Sequence, residues 1–429
     1  MKKLRLTAAA VTVFILLLPL LPAAVALGEE PVRLGLNFPA TGPYSDQGID
    51  QYRAAVMAVE EINAMGGILG RPVELVYRDS YTNVDKSSVN VRELIEQRHC
   101  AMIFGGSSSE VAVTIGDICQ QKGVPFFGTL TYSTETTGIR GHRFTFRECY
   151  DSWMACGVLA DYLHDHFADK TYLYITADYS WGYTTEQSLR VLTGTEDLKK
   201  HPGLLTPLGT TDYGDQLRLA KELQPDVLVL VLFGRDMVNA VRQAATMGLK
   251  ATMQIVVPNL TLGMAEGAGP RTMEGVIGAV PWCWNIPYAY NYPRGKEFVE
   301  SFAVRYDRYP SSSAASAYTI VYEYKAAAER AGSLHGEEIV KTLEGHMYQL
   351  LKDQQTWREF DHQSVQTVYA VQCKPQAEVL KDPYQLDFFD VLTSRHGEDA
   401  AISLEAWEAA RLEVGMPTML EPLSQIVDK

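Results

Sequence analysis

Polar residues follow two apolar runs in the stretch between Ala101 and Thr134. The first run ends in Gly-Gly-Ser-Ser-Ser and the second in Gly-Thr-Leu-Thr-Tyr. Serine and threonine hydroxyls donate and accept hydrogen bonds, and glycine lets a ligand approach the backbone closely. In an open α/β sheet, small ligands bind where loops leave the carboxyl ends of the strands. The stretch therefore predicts a binding site for a small polar group, with the candidate contacts Ser107, Ser108, Ser109, Leu130, Thr131 and Tyr132.

The three serines also have a purely structural interpretation. A helix is predicted to begin near Glu110, and a serine before a helix often accepts a hydrogen bond from a free N–H group of the first turn. The sequence leaves open whether these hydroxyls bind a ligand or only cap this helix. The second loop, Thr129 to Ser133, favours ligand binding, because it would lie beside the first if the two strands are parallel neighbours.

The usual catalytic and cofactor motifs are missing from the sequence. The segment Gly-Ser-Ser-Ser-Glu resembles a nucleophile elbow, but Glu110 holds the position of the closing glycine. No glycine-rich dinucleotide motif follows the first strand, and no phosphate-binding loop motif is present. His164 and His166 lie two residues apart on a predicted helix, so they point in different directions and cannot share a metal. We predict a binding protein rather than an enzyme, with no cofactor and no metal.

The N-terminus is typical of a secretory signal peptide. Three basic residues within the first five positions precede an apolar core, and Ala24-Val25-Ala26 forms a small-residue cleavage site. The apolar core is too short to span a membrane, and no cysteine follows it for a lipid anchor. We therefore expect cleavage near Ala26 and a periplasmic location.

Charge and cysteine content narrow the classes of partner. The 429-residue chain has a formal net charge of −14, which becomes −17 without the three leader cations. An acidic protein is a poor partner for nucleic acids and anionic membranes. Six cysteines in an exported chain permit disulfides. The candidate pairs are Cys100 with Cys119 and Cys149 with Cys156, whereas Cys283 and Cys373 are interpreted as buried thiols.

Apolar periodicity predicts two α/β halves. A strand from Val32 to Phe38 and a helix from about Gln47 begin a β-α-β-α-β-α-β pattern, which indicates a parallel sheet covered on both faces. The pattern restarts after Phe146, with strands at Tyr172–Thr176 and Asp226–Leu232. Two such halves that face each other across a cleft are the economical arrangement.

Loops at the strand ends of the second half supply further candidates. Trp181 has two interpretations, as a ligand contact or as packing within its own half. The aromatic run from Pro281 to Pro293 is likewise either a rim over the cleft or packing between the halves. The strand-end loops of this half contain Tyr179, Trp181, Phe233, Asp236 and Asn259.

Several segments in the same order resemble the branched-chain amino acid and amide group of periplasmic solute-binding proteins, which serve ABC importers. The resemblance extends from Val32 to Lys374 and includes LGLNFPATGPYSDQG, IFGGSSSEVAV, GVPFFGTLTYS, DYSWGY and FDHQSVQTVYAVQCK. It implies the type I fold, in which two Rossmann-like lobes are joined by three crossover hinge strands and close on a ligand. The crossovers would fall near Arg147, Val280 and Glu344.

The resemblance also implies a division of the chain. After the signal peptide (1–26), lobe 1 would contain 27–147 and 281–344, and lobe 2 would contain 148–280 and 345–374. Residues 375–429 would form a C-terminal extension that packs on the lobes.

Roles for individual residues follow from the resemblance by position. Ser109 stands where the family serine holds the ligand's carboxylate or amide head. Gly-Thr-Leu-Thr-Tyr is closer to the Thr-Leu-Tyr of amide and urea binders than to the Ser-Pro-x-Ala-Thr of amino-acid binders. Trp181 stands where the family usually has tyrosine. The second-lobe loop expected to carry an acid for a ligand ammonium reads Pro-Asn-Leu-Thr, which leaves Asp236 as the candidate.

The function implied by the resemblance is that of a monomeric periplasmic receptor. It would deliver a small amino acid, amide or related organic compound to an inner-membrane ABC permease and its ATPases. A sensor subunit for a membrane signalling protein uses the same fold and is the alternative. A secreted hydrolase would need a nucleophile with its base, and neither is visible.

Overall fold

Fifteen strands form three sheets in the computed structural model, which describes residues 30–423 of the chain. In chain order they are β1 (Val32–Phe38), β2 (Val73–Asp79), β3 (Met102–Gly105), β4 (Phe126–Gly128), β5 (Thr145–Arg147), β6 (Tyr172–Ala177), β7 (Gly203–Thr206), β8 (Val227–Val231), β9 (Gln254–Val257), β10 (Ile277–Val280), β11 (Met347–Tyr348), β12 (Gln355–Trp357), β13 (Ser364–Val365), β14 (Val368–Cys373) and β15 (Phe389–Arg395).

Sixteen α-helices and two 3₁₀ turns connect the strands within this part of the chain. The helices are α1 (Ser45–Ala64), α2 (Val84–Glu96), α3 (Ser109–Lys122), α4 (Ser152–Phe167), α5 (Ser180–Thr193), α6 (Gly214–Leu223), α7 (Gly234–Thr246), α8 (Leu262–Ala268), α9 (Pro270–Met273), α10 (Ile286–Ala289), α11 (Pro293–Tyr306), α12 (Ser312–Ala331), α13 (Gly336–Leu343), α14 (Gln376–Val379), α15 (Gly397–Ala400) and α16 (Leu404–Glu413). The 3₁₀ turns are Thr134–Thr136 and Leu249–Ala251.

The first lobe is built on a parallel sheet of order β2-β1-β3-β4-β5. In its register, Leu36 lies opposite Tyr77 on one side and Phe104 on the other. Helices α1, α11, α12 and α13 cover one face, and α2 and α3 cover the other. Apolar burial on both faces explains why β3 is entirely buried.

The second lobe contains a seven-stranded sheet of order β15-β14-β10-β9-β8-β6-β7. Strands β6 to β10 are parallel, and β14 and β15 are added in antiparallel fashion. The interior strand β8, Val227–Val231, is apolar and buried throughout, as a strand covered by helices on both faces must be. The predicted pair of α/β lobes is confirmed.

The chain passes between the lobes three times. It leaves the first sheet after Arg147, returns after Val280, and enters the second sheet again at Val368. The sequence placed the third crossing near Glu344. In the structure, the small sheet β11-β12-β13 follows that point, and Trp357 of this sheet is still packed in the core of the first lobe.

A buried lysine holds the crossings together. The Lys352 ammonium donates to the carbonyl oxygens of Pro281 and Thr367 at 2.8 and 2.7 Å and to Gln366 Oε1 at 2.7 Å, so all three of its protons are used. Gln366 in turn donates to the carbonyl of Glu148 on the first crossing. Burial lowers the pKa of Lys352 to about 8, against the opposing effects of Asp353 and Glu148.

The C-terminal extension, described here for residues 375–423, contacts both lobes. Its strand β15 pairs with β14 in the second sheet, whereas α16 packs against the first lobe. There, Trp407 Nε1 donates to the carbonyl of Thr137 at 2.9 Å, and Glu421 Oε1 lies 2.6 Å from His142 Nδ1. Burial opposes protonation of His142, but Asp117 and Glu421 outweigh it and raise its pKa to about 9.

The cysteines do not form the disulfides expected from the sequence. All six cysteines lie within residues 30–423 and are buried free thiols, so the proposed Cys100–Cys119 and Cys149–Cys156 pairs are wrong. Cys100 and Cys119 are held instead as apolar members of one hydrophobic cluster.

The predicted signal peptide lies outside the described residues. None of the described helices is both long and apolar enough to cross a bilayer.

The carboxyl of Glu323 on α12 is buried, and its ionisation makes the stability of the fold depend on pH. Burial raises its pKa to about 7, and Trp357 Nε1 donates to Oε2 at 3.4 Å. Because the folded state binds this proton more tightly than the unfolded state, ionisation of Glu323 destabilises the fold as the pH rises from about 4.5 to above about 7. Glu323→Gln keeps an acceptor for Trp357 and should raise the free energy of unfolding by about 1–3 kcal/mol at pH 8.

Urea denaturation at pH 8 and at pH 4.5 measures this effect, which should vanish at the lower pH. Glu329→Gln on the exposed face of the same helix is the matched control and should show no such pH-dependent gain. A Glu323→Gln variant less stable than the parent at pH 8 would contradict the interpretation.

Candidate functional site

The cleft between the lobes is lined by loops that leave the carboxyl ends of parallel strands. The first lobe contributes the loops after β3 and β4, and the second contributes those after β6, β8 and β9. Tyr132 of the first lobe meets Phe233 of the second, with ring centroids 5.6 Å apart in an edge-on arrangement. All candidate residues from the sequence are buried except Tyr179, which is partly buried.

The serine loop departs from ordinary helix capping. Gly105 and Gly106 adopt φ of 116° and 91°, which turns the chain sharply away from β3. Ser108 occupies the N-cap of α3, but its side chain makes no capping hydrogen bond. The Ser107 hydroxyl is buried without a partner among the described residues. Since buried polar atoms are normally paired, this hydroxyl is available to a bound molecule.

The aromatic residues of the second lobe pack on one another. Trp181 lies 5.9 Å from both Tyr179 and Phe233, and its Nε1 donates to Asn259 Oδ1 at 3.2 Å. Trp181 therefore packs within its own lobe, whereas Phe233 meets aromatic rings of the first lobe. The Asn259 amide nitrogen is buried near the Tyr150 hydroxyl but makes no well-formed hydrogen bond within the described residues, which leaves a donor beside the cleft.

Contacts across the cleft bring the lobes together. The hydroxyls of Tyr44 and Tyr179 are 2.9 Å apart, and Gln47 Nε2 donates to Thr261 Oγ1 at 3.1 Å. Tyr44 also packs edge-on against Phe233 with a centroid distance of 5.1 Å. Tyr44, Gln47 and Thr261 were not predicted as site residues, although the loop that ends in Tyr44 follows β1 and obeys the same strand-end rule.

A polar floor lies under Tyr132. A small cavity of about 20 Å³, room for one water molecule, is lined by Tyr132, Trp282, Ser312, Ser316 and the hinge residue Lys352, among others. The Ser316 hydroxyl faces the carboxyl of Glu148, whereas Trp282 Nε1 and the Ser312 hydroxyl are buried without partners within the described part of the chain. These groups come from the second crossing and the start of α12, and nothing in the local sequence pattern marks them as ligand contacts.

The aromatic run after β10 is packed rather than free. Trp282 lies in the core of the first lobe, 6.0 Å from Phe298, and Trp284 stacks on Tyr309 at 4.0 Å. Packing was one of the two interpretations of this run, and only Trp282 borders the floor of the cleft.

The carboxyl of Asp236 lies near the cleft but is already engaged. Its Oδ2 accepts from the backbone N–H of Gly209 at 2.8 Å. Burial raises the pKa of Asp236 to about 6, with the Gly209 bond opposing that rise. Burial of the two phenols is the main cause of the raised pKa values of Tyr44 and Tyr179, and the charge of Asp236 adds to it. Asp236 therefore belongs to the surroundings of the cleft aromatics, and a direct ligand contact stays a prediction.

Two α/β lobes whose strand-end loops face a shared cleft define a two-lobed binding protein. A family model described as periplasmic binding protein matches residues 31–378. The chain belongs to this family, whose members bind solutes and are not enzymes.

Individual relatives and solved structures are similar to this chain. A leucine-, isoleucine-, valine-, threonine- and alanine-binding protein of Pseudomonas aeruginosa is 24% identical over 335 residues, which cover 76% of this chain and 86% of the relative. A periplasmic binding protein from Burkholderia mallei has a TM-score of 0.80 at 22% identity and covers 88% of this chain and 98% of its own. An amino acid ABC transporter substrate-binding protein from Pseudomonas fluorescens has a TM-score of 0.78 at 23% identity, with 88% and 100% covered. The two structures confirm the expected fold.

Gly234 offers a test of lobe closure. It lies in the second lobe with φ of 58°, and an added Cβ would lie 2.6 Å from Tyr44 Cδ1 and 2.7 Å from the carbonyl oxygen of Pro43 in the first lobe. Gly234→Ala should therefore hold the lobes apart and weaken ligand binding by about tenfold or more. Gly248→Ala, at φ of 78° with nothing within 4 Å, carries the same backbone strain without the cross-lobe contact.

The two variants are compared by small-angle scattering and by calorimetry, with the compound that the purified protein retains. Both should lose about 1 kcal/mol of stability from the strained backbone, and only Gly234→Ala should show a larger radius of gyration with ligand. Equal affinities and radii for the two variants would argue against closure through this contact.

Proposed function

We propose that this protein is the periplasmic solute receptor of an ABC importer. It binds a small amino acid, amide or related organic compound in the cleft and delivers it to an inner-membrane permease and its ATPases. It acts as a monomer, because one chain supplies both halves of the site. Export by a signal peptide cleaved near Ala26 brings it to the periplasm.

The observation that carries the proposal is the set of unpaired polar atoms that both lobes bring to the cleft. The Ser107 hydroxyl comes from the first lobe and the Asn259 amide from the second. Burying such groups without partners costs about 1–3 kcal/mol each, and a polar ligand between the lobes would remove that cost. The names of the relatives from Pseudomonas point to amino acids as one ligand class.

The proposed ligand contacts divide by lobe. Hydroxyls and backbone amides of the first lobe suit a carboxylate or amide head, and the second-lobe aromatics suit an apolar or flat body. Asp236 is the candidate partner for a ligand ammonium, at the cost of its bond to Gly209. The contacts are Ser107, Ser108, Ser109, Leu130, Thr131 and Tyr132 for the head, and Tyr179, Trp181, Phe233, Asp236 and Asn259 for the body or ammonium.

Mass spectrometry of the compound released when the purified protein is denatured identifies the ligand. Ser109→Ala should then weaken binding of that compound by about 1–3 kcal/mol in calorimetry, since a desolvated ligand oxygen loses its donor. The melting temperature of the ligand-free variant should change little.

Ser403→Ala is the control for helix capping. The Ser403 hydroxyl accepts from the N–H of Ala406 at 3.2 Å, at the exposed start of α16. Its removal should lower stability by about 1 kcal/mol and leave affinity unchanged. If Ser109→Ala behaves like Ser403→Ala instead, the serine loop serves the helix and not the ligand.

A further inference from the structure

A second cavity lies between the lobes, outside the cleft. Its volume is about 460 Å³, within the range of small-molecule sites. One wall is the turn from Thr134 to Ile139 of the first lobe, a second is α5 of the second lobe, and a third is α16 of the C-terminal extension. The matched family segment ends at residue 378, so the third wall is particular to chains that carry such an extension.

A row of hydrogen bonds between the lobes separates this cavity from the cleft. The Ser133 and Ser180 hydroxyls are 3.1 Å apart, and Ser180 Oγ donates to Glu135 Oε2 at 2.7 Å. Ser133 directly follows the cleft residue Tyr132, and Ser180 directly precedes the cleft residue Trp181. Residues that follow these two serines in the chain, beginning with Thr134 and Thr184, line the second cavity.

Apolar side chains form much of the cavity surface. They include the buried indole of Trp407, held by its bond to the Thr137 carbonyl, and Ala410 one turn away on α16. An apolar enclosure of this size stabilises the flat or branched hydrocarbon body of a ligand. The apolar lining residues are Ile139, Ile402, Trp407, Ala410 and Val414.

The charged lining residues are all acidic. Asp151 and Asp361 are paired with Arg147 and Arg358 behind the wall. Glu135 and Glu413 form no ion pair with any residue from 30 to 423, and no lysine or arginine lines the cavity. Two carboxylates without a cationic partner beside an apolar surface favour a cation and disfavour an anion.

We propose that this cavity is a second ligand site, which binds a small organic cation with an apolar body, such as a protonated aromatic or branched amine. The ligand body lies against Trp407 and Ala410, and the ammonium lies between Glu135 and Glu413. Because both lobes contribute walls, the ligand binds the closed arrangement more tightly than an open one and stabilises closure.

Fluorine NMR of the full-length mature protein tests the site, with 4-fluorobenzylamine as the cationic probe. The neutral 4-fluorobenzyl alcohol and the anionic 4-fluorobenzoate are its matched controls. The fluorine resonance of the amine should broaden when the protein is added, with the amine at millimolar concentration or below. The alcohol should bind about fivefold more weakly than the amine, and the benzoate should not bind.

Two tryptophan substitutions locate the binding. Ala410→Trp fills the cavity and should abolish the broadening of the amine resonance. Ala409→Trp at the neighbouring exposed position should leave the broadening unchanged. Glu413→Gln perturbs no packing and should weaken amine binding about fivefold while leaving the alcohol unaffected. This second readout remains decisive if Ala410→Trp lowers the melting temperature.

Three outcomes overturn the proposal. They are no broadening of the amine with the parent protein, amine binding that survives both Ala410→Trp and Glu413→Gln, and equal binding of the amine and the benzoate. None of these outcomes bears on the cleft, whose ligand is identified separately by mass spectrometry.

Discussion

A buried guanidinium is the interaction on which the arrangement of the two lobes depends. Arg147 is fully buried at the first crossing and donates to the Ser133 carbonyl, to Thr137 Oγ1, to Asp151 Oδ2 and to Gln363 Oε1. One side chain thus joins the cleft loop, the turn under α16, the start of α4 and the third crossing. A buried charge stripped of such partners costs about 3–5 kcal/mol, so these elements are tied to one geometry.

The contacts between the lobes combine apolar burial with polar pairing. Tyr44, Leu130 and Tyr132 of the first lobe belong to the same hydrophobic cluster as the core of the second lobe. Their packing against Phe233 removes apolar surface from water when the lobes meet. The unpaired polar atoms beneath them are suited to a bound molecule with hydrogen-bonding groups, as in other concave sites that combine aromatic walls with a few polar groups.

The C-terminal extension adds a noncovalent link between the lobes to the three covalent crossings. It continues the second sheet through β15 and then anchors α16 and Glu421 on the first lobe. Since the imidazolium of His142 is held between Asp117 and Glu421, this anchor is ionic as well as apolar. Any opening of the cleft must bend the segment between β15 and α16 or break one of these contacts.

The sequence by itself determined the elements and the class of protein. Strand β1 was predicted with its observed bounds, Val32–Phe38, and strands β6 and β8 were predicted to within one residue at each end. These predictions succeed because apolar periodicity and strand-end loops are local properties of the chain. The polar loops after β3 and β4 were recognised for the same reason.

The tertiary structure alone decided which distant residues meet. Tyr44 faces Tyr179, Trp181 bonds to Asn259, and Lys352 uses its protons on two crossings. The packing of Trp357 in the first lobe and of Cys100 beside Cys119 as thiols is likewise invisible in a local pattern. Such contacts join positions tens to hundreds of residues apart, and only the packed lobes determine their distances and their burial.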